Sequence, residues 1–385
     1  MRYALILGVL IAATTAQAQW EIQTAPTTAD LRGIDNVGKG IAWASGSDGA
    51  VLRTTDDGAH WQLCPTPPDA EQLDFRGIQA FDEKTAIVMS TGKGALSRLY
   101  KTTDGCKSWT LLLTNPYPEG SWAGIVADNL GGGAIVIGDQ VGDRFSIYAS
   151  RNSGLKNWFL FEHPESAPTV KIPQPHSKDE VPFAASNSII YGDAWNGLDF
   201  VTGGRDGSYL YATKGHSWPL DYNFTTFVVV PIPLAKGPAA GAFSITTSTG
   251  CNPNKAGECA YVIVGGDYMK PDESKGTAAY AITWGPPNRF KSSITPPHGF
   301  RSAVAYDAAS KTWITVGPNG TDISTDDGRN WRALNPTPGE APDSDQHWNA
   351  LSLPFVVGPH GRIGRLRPAA LKAQPSTPSS PGAKP

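Results

Sequence analysis

Three arginines in this 385-residue chain occupy the same place in a recurring pattern: Arg32 in Leu31-Arg-Gly-Ile34, Arg76 in Phe75-Arg-Gly-Ile78 and Arg301 in Phe300-Arg-Ser-Ala303. A guanidinium stays charged and presents its N–H donors in a planar fork. Three of them converging would hold a carboxylate or another anion. Other copies of the pattern carry Ala123, Ala184 or Ser244 at that place, so the pattern does not itself require a cation. The competing role for each Arg is to pack under its large neighbour and pair with a local carboxylate such as Asp35, Asp74 or Asp307. Acid–base chemistry would fall to Asp193 in Tyr191-Gly-Asp-Ala-Trp195 and Asp206 in Gly204-Arg-Asp-Gly207, both set among turn-forming residues. The seven His are scattered without metal-ligand spacing, and no Cys pair has a C-x-x-C spacing, so neither a metal nor a cofactor is expected. Gly131-Gly-Gly133 reads as a hairpin turn, because no helix follows it to cradle a phosphate.

The elements that would position these arginines are repeats. Trp122-Ala-Gly-Ile125, Phe183-Ala-Ala-Ser186, Phe243-Ser-Ile-Thr246 and Trp348-Asn-Ala-Leu351 complete the pattern, and the seven copies are spaced by 44, 47, 61, 60, 57 and 48 residues. That spacing is the length of a four-stranded propeller blade with its loops. Each copy is expected to open the inner strand of one blade, so equivalent positions ring a central channel at one depth. Between copies lie runs such as Ile41-Ala-Trp-Ala-Ser45, Thr85-Ala-Ile-Val-Met89 and Thr312-Trp-Ile-Thr-Val316, apolar on both faces, as sheets sandwiched between sheets require. The predicted fold is all-β, a seven-bladed propeller over residues 19–367. The last blade lacks one strand, which Trp20-Glu-Ile-Gln23 is expected to supply, closing the ring and removing a free edge.

A second repeat is a turn. Asp56, Gly58 and Trp61 recur as Asp326, Gly328 and Trp331 at the same spacing. Asp104 and Trp109 form a copy with Cys106 in place of the second glycine, and Asn152 with Trp158 forms a looser one. A carboxylate here can accept backbone N–H groups two and three residues on. The Gly takes a positive φ, and the Trp enters the core. These residues read as structural.

Residues 1–18 have the form of a secretory leader: Arg2, an apolar stretch from Tyr3 to Ala13, and a small-x-small site at Ala16-Gln17-Ala18, with cleavage after Ala18. The alternative is an uncleaved anchor, although the run is short for a span. Secretion or a periplasmic location is expected, with no stable membrane span. Four Cys in an exported chain point to two disulfides. Cys251 and Cys259 flank a turn-rich loop and are the preferred pair. Cys64 and Cys106 would then join each other, with free buried thiols as the alternative. The net charge of -3 gives no reason to expect nucleic acid as a partner. Residues 368–385, rich in Pro, Ser and Ala, are expected to be a disordered tail.

The Arg-Gly-Ile strand starts and the Asp-Gly-Trp turns, the latter known as Asp-boxes or BNR repeats, resemble those of the photosystem II stability and assembly factor family and its bacterial relatives. The resemblance covers roughly residues 20 to 367. It implies a non-catalytic propeller that binds a protein or peptide partner, with Arg32, Arg76 and Arg301 in an arginine-rich binding patch; the chain is expected to be a monomer. The chain departs from the pattern in blades four and five, where clear Asp-boxes give way to long loops. The alternative reading is a glycoside hydrolase of the sialidase kind, which also carries Asp-boxes. That chemistry needs three Arg, a Tyr nucleophile with a Glu partner, and an Asp acid/base. The Arg-Ile-Pro signature of sialidases is missing and no Tyr–Glu pair stands out, so Asp193 and Asp206 are the carboxylates left to test.

Overall fold

The computed structural model describes residues 19–128, 133–150, 158–160, 173–193, 197–214, 226–248, 259–283, 289–334 and 341–371. These form seven four-stranded antiparallel sheets. The inner strands, in blade order, are Leu31–Gly38, Asp74–Ala80, Trp122–Asp128, Ile190–Asp193, Ala240–Thr247, Ala303–Asp307 and Ala350–Ser352. Each packs beside the next, and the last packs beside the first, so the sheets stand as a closed ring. The protein is a seven-bladed β-propeller.

The core lies between blades. Second strands such as Thr312–Gly317 are buried along their whole length. Trp43, Trp122, Trp313 and Trp348 fill the inter-blade space with no exposed surface. The fourth strand of blade seven is Trp20–Gln23, which pairs with Ile363–Leu366 in the register Trp20↔Leu366 to Gln23↔Ile363. Trp20 is 2% exposed. Its ring packs on Trp348 at a centroid distance of 5.8 Å.

Several boundaries differ from the sequence reading, the inner strands of blades five and six starting at Ala240 and Ala303 and not at Phe243 and Phe300. Residues 368–371, expected to open the tail, form a 3-10 turn, Pro368–Leu371, and Ala370 and Leu371 pack against the Trp20–Trp348 cluster. The inner strand of blade four starts at Ile190, not at Phe183. The leader, the turn at Asn152 and residues 372–385 lie outside the described residues.

Three copies of the turn motif share one geometry, at the strand ends away from the arginines. In blade one, Thr54 Oγ1 donates to Asp56 Oδ1 at 2.9 Å and accepts the Gly58 N–H at 3.0 Å. Asp56 Oδ1 also accepts the His60 N–H at 2.9 Å. In blade six, Ser324, Asp326 and the Asn330 N–H repeat the same contacts. In blade two the roles fall to Thr102, Asp104 and the Ser108 N–H. The carboxylate therefore reaches four residues on rather than the expected two and three, because the hydroxyl two residues before it takes the nearer amide. Trp61 and Trp331 are buried, and Trp109 donates to the Pro65 carbonyl at 3.0 Å.

Cys64 and Cys106 form a disulfide across a sequence separation of 42 residues, tying blade one to the turn of blade two. Cys259 opens a strand and is buried, while Cys251 lies outside the described residues. Cys106 stands at φ 62, where the equivalent Gly58 and Gly328 stand at φ 84 and φ 76. A β-carbon in that region costs about 1 kcal/mol, whereas closing a loop of this length contributes about 2–4 kcal/mol. The bond outweighs the backbone strain. Cys64→Ala is expected to lower stability by about 2–4 kcal/mol. Adding Cys106→Gly is expected to restore about 1 kcal/mol by removing the strained β-carbon. Denaturant titration of the two variants checks both values.

Candidate functional site at the channel mouth

Arg32 follows Leu31, and Arg76 follows Phe75; both of these apolar anchors are fully buried. The anchors pin the backbone, and the alternation of a strand turns the next side chain out of the core. Asp74, at the start of the blade-two inner strand, stands beside both arginines. Arg76 Nε donates to Asp74 Oδ2 at 2.7 Å, and Arg32 Nε lies 3.7 Å from the same oxygen. Arg32 Nη2 is 3.9 Å from Asp30 at the rim. Two guanidiniums thus share one close carboxylate. Both are about one-third exposed, at 30% and 31%. Arg32 Nε and Asp74 Oδ1 are buried atoms without a hydrogen-bond partner. The other carboxylates considered from sequence are engaged elsewhere. Asp35 accepts the Ala80 N–H at 2.7 Å, and burial pushes its carboxyl up to about 6 against that hydrogen bond. Asp307 accepts the Ser310 N–H at 2.9 Å.

Arg301 does not join this pair. Its side chain has no exposed surface. Nε donates to Asp322 Oδ2 at 2.8 Å, Nη2 donates to the same oxygen, and Nη1 reaches the Phe300 carbonyl at 2.8 Å and Asn319 Oδ1 at 2.5 Å. His298 Nδ1 lies 2.9 Å from Asp322 Oδ1. That hydrogen bond holds the imidazole above its ordinary range. The expected ring of three exposed arginines is therefore corrected to a pair. Asp322, 21 residues on, encloses the third as a structural ion pair.

The channel is crossed by the chain's own residues. The segment Phe183–Ser188, expected to open an inner strand, instead touches four other blades. The Ala184 carbonyl accepts Arg76 Nη1 at 2.8 Å in blade two. Asn187 pairs with both backbone groups of Ile125 in blade three, at 2.8 and 3.0 Å. The Ser188 carbonyl accepts the Ile245 N–H in blade five, and Ser186 Oγ donates to the Ser302 carbonyl next to blade six. Phe183 stacks on Phe243 at 4.3 Å. Sequence reasoning missed this plug, because a large apolar residue followed by small ones suits a crossing segment as well as a strand start.

The carboxylates of the enzymatic alternative are kept apart. Asp193 ends the inner strand of blade four, while Asp206 lies in an exposed turn beside the opposite end of that strand pair. A Tyr–Glu pair does exist, unseen in sequence: Tyr211 donates to Glu180 Oε1 at 2.8 Å, and Thr202 donates to it at 2.6 Å. Tyr211 and Glu180 are both buried. Burial and the nearby Glu180 hold the phenol protonated. This pair braces blade four and cannot present a phenolate to a sugar. Among the described residues, no group of His, Cys, Asp and Glu could hold a metal ion, and no helix is long and apolar enough to cross a membrane.

The fold and this charged channel mouth define a propeller whose channel is crossed by its own chain and whose face carries a cluster of paired arginines and aspartates. No family model and no curated protein matches the chain. Among solved structures, it is similar to "YCF48 bound to D1 peptide", with a TM-score of 0.59 and 17% identity, covering 90% of this chain and 96% of that one. It is also similar to YCF48 from Cyanidioschyzon merolae, with a TM-score of 0.55 and 20% identity, covering 91% and 100%. The WD40 repeats of RRP9 match with a TM-score of 0.55 at 13% identity, covering 91% and 99%. At these identities the likeness is one of fold.

Proposed function

We propose that this chain is an exported, non-catalytic propeller of the assembly-factor kind that binds a polypeptide partner through an anionic group at Arg32 and Arg76. The observation that carries the reading is the cluster at Asp74: two guanidiniums, each about one-third exposed, gather at this carboxylate, with Asp30 3.9 Å from Arg32 at the rim. An incoming carboxylate would compete with Asp30 and Asp74 for the exposed N–H donors of the two guanidiniums. The fold supports the reading, since a propeller of the same architecture is known with a peptide bound. What supports export is the leader-like form of residues 1–18, with cleavage proposed after Ala18.

The test is a pull-down from a periplasmic fraction with wild type and the Arg32→Ala/Arg76→Ala double variant, at low and high salt. The variant is expected to lose most of the recovered partner and most of the salt dependence. Its stability is expected to fall by about 1–2 kcal/mol, since Arg76 also donates to the Ala184 carbonyl, so recovery is compared well below the melting temperature of both proteins. Equal recovery at both salt concentrations overturns the assignment.

A further inference from the structure

A cavity of about 450 Å³ opens at the seam of blades six and seven, on the face opposite Arg32 and Arg76. Its lining comes from the ends of strands. Leu366 closes the third strand of blade seven, is 5% exposed and belongs to the buried cluster around Trp20 and Trp348. Leu353 and Leu371 pack against the same cluster from the first hairpin of blade seven and from the 3-10 turn Pro368–Leu371. Pro354 and Ala309 extend the apolar wall. Each wall is pinned by a hydrogen bond. Asn36 Nδ2 in blade one donates to the Leu353 carbonyl at 2.6 Å, and the Leu366 N–H donates to the Pro354 carbonyl at 2.7 Å. The Arg367 N–H donates to the Gln19 carbonyl at 3.0 Å, and the Ala370 N–H donates to the Arg367 carbonyl at 2.9 Å. The cavity is therefore formed before any occupant arrives, as ligand sites usually are.

Two charged side chains line it, Asp307 and Arg367. Asp307 is supplied with donors, since its Oδ2 accepts both the N–H and the hydroxyl of Ser310. Arg367 is half-buried, and its Nε is a buried atom without a hydrogen-bond partner. Among the described residues its guanidinium is in no ion pair, with Asp307 or with any other carboxylate. We propose that this cavity binds a small apolar carboxylate, an acid whose hydrocarbon body lies against Leu353, Leu366 and Leu371 and whose head meets Arg367. Volume sets the size of the ligand, since small-molecule sites occupy roughly 300–1,000 Å³. The apolar wall favours a hydrocarbon body, which leaves water on entering. The guanidinium sets the head, because its fork matches a carboxylate and would repel an ammonium. The site lies at the other ends of the strands from Arg32 and Arg76, and it stands independently of the partner site proposed there.

The probes are octanoate, octanol and octylamine, which share one hydrocarbon chain and differ in the head. Each is titrated into the full chain by isothermal calorimetry at neutral pH. Octanoate is expected to saturate one site roughly tenfold more tightly than octanol, with octylamine weaker than both. In Arg367→Gln the advantage of octanoate over octanol should vanish while octanol binding stays, and Arg367→Lys should keep part of that advantage. Leu371→Ser should weaken octanoate and octanol together. Arg32→Ala/Arg76→Ala should bind octanoate as wild type does, which separates this site from the channel mouth. Melting temperatures of all variants guard against misfolding. If octylamine binds best, Asp307 sets the charge and the carboxylate head is overturned. Octanoate binding that is absent from wild type, or that survives both Arg367→Gln and Leu371→Ser unchanged, overturns the site. Binding gained only on deletion of residues 372–385 would make the chain's own tail the occupant and overturn the small molecule.

Discussion

Replacing Arg301 by alanine is expected to destabilise the protein by about 3–5 kcal/mol, because it strands a buried charge. Arg301 has no exposed surface, and Asp322 is 2% exposed at its side chain. With the guanidinium gone, Asp322 keeps only His298 as a charged neighbour. The Phe300 carbonyl and Asn319 Oδ1 would lose their donor as well. Asp322→Ala is expected to cost a similar amount, since it leaves the guanidinium alone in the same site. The double variant Arg301→Met/Asp322→Leu should cost clearly less than the two single losses added together, because both charges leave at once. Denaturant unfolding of the four proteins measures the coupling. A single variant with wild-type stability and lost partner binding would return Arg301 to the binding face.

Deleting Trp20–Gln23 is expected to have the largest effect of all. Four residues of strand pairing would be lost from blade seven. Trp20 alone is nearly buried, and loss of a buried Trp costs about 3–5 kcal/mol. The strand also anchors a polar chain between blades. Trp20 Nε1 donates to Thr321 Oγ1 at 3.1 Å, and Thr321 in turn donates to Asp345. The Thr321 N–H reaches the second oxygen of Asp345 at 3.0 Å. Burial pushes the Asp345 carboxyl up to about 6 despite these donors. Without the strand, Ile363–Leu366 becomes an exposed edge with open hydrogen-bonding groups, which invites pairing between molecules. The expected outcome is a lower melting temperature together with concentration-dependent association on size-exclusion chromatography. Trp20→Ala keeps the backbone pairing and should lower stability without association, which separates packing from edge protection. A deletion variant that melts like wild type and stays monomeric would show that the ring does not need its closing strand.

Asp326 and Glu180 show how far local reasoning reaches. The turn around Asp326 is built from Ser324, Gly328, Asn330 and Trp331, all within a few residues, so the spacing of residue types specifies it. Blade length is legible for a similar reason. Strands of a propeller are apolar on both faces, and each must end in turn residues after a fixed rise. Phe75 and Trp122 mark inner strands because those strands need a buried anchor at their start. Glu180 carries none of this regularity. Its partners Thr202 and Tyr211 lie 22 and 31 residues away, and nothing in its neighbours announces them.

What the sequence determined by itself was therefore the repeat: the number of blades and the turns that cap them. These follow from period, local hydrogen bonds and two-sided burial, all of which act over short stretches of chain. Tertiary structure alone decided which of three equivalent arginines stays open to a ligand. Arg32 and Arg76 meet only because adjacent blades bring Asp74 between them, and Arg301 is lost to the solvent because a later strand carries Asp322 beneath it. It also decided that Phe183–Ser188 crosses the channel instead of lining it. That choice depends on four other blades supplying Arg76, Ile125, Ile245 and Ser302 as partners at once, and ring closure is the step that places them there.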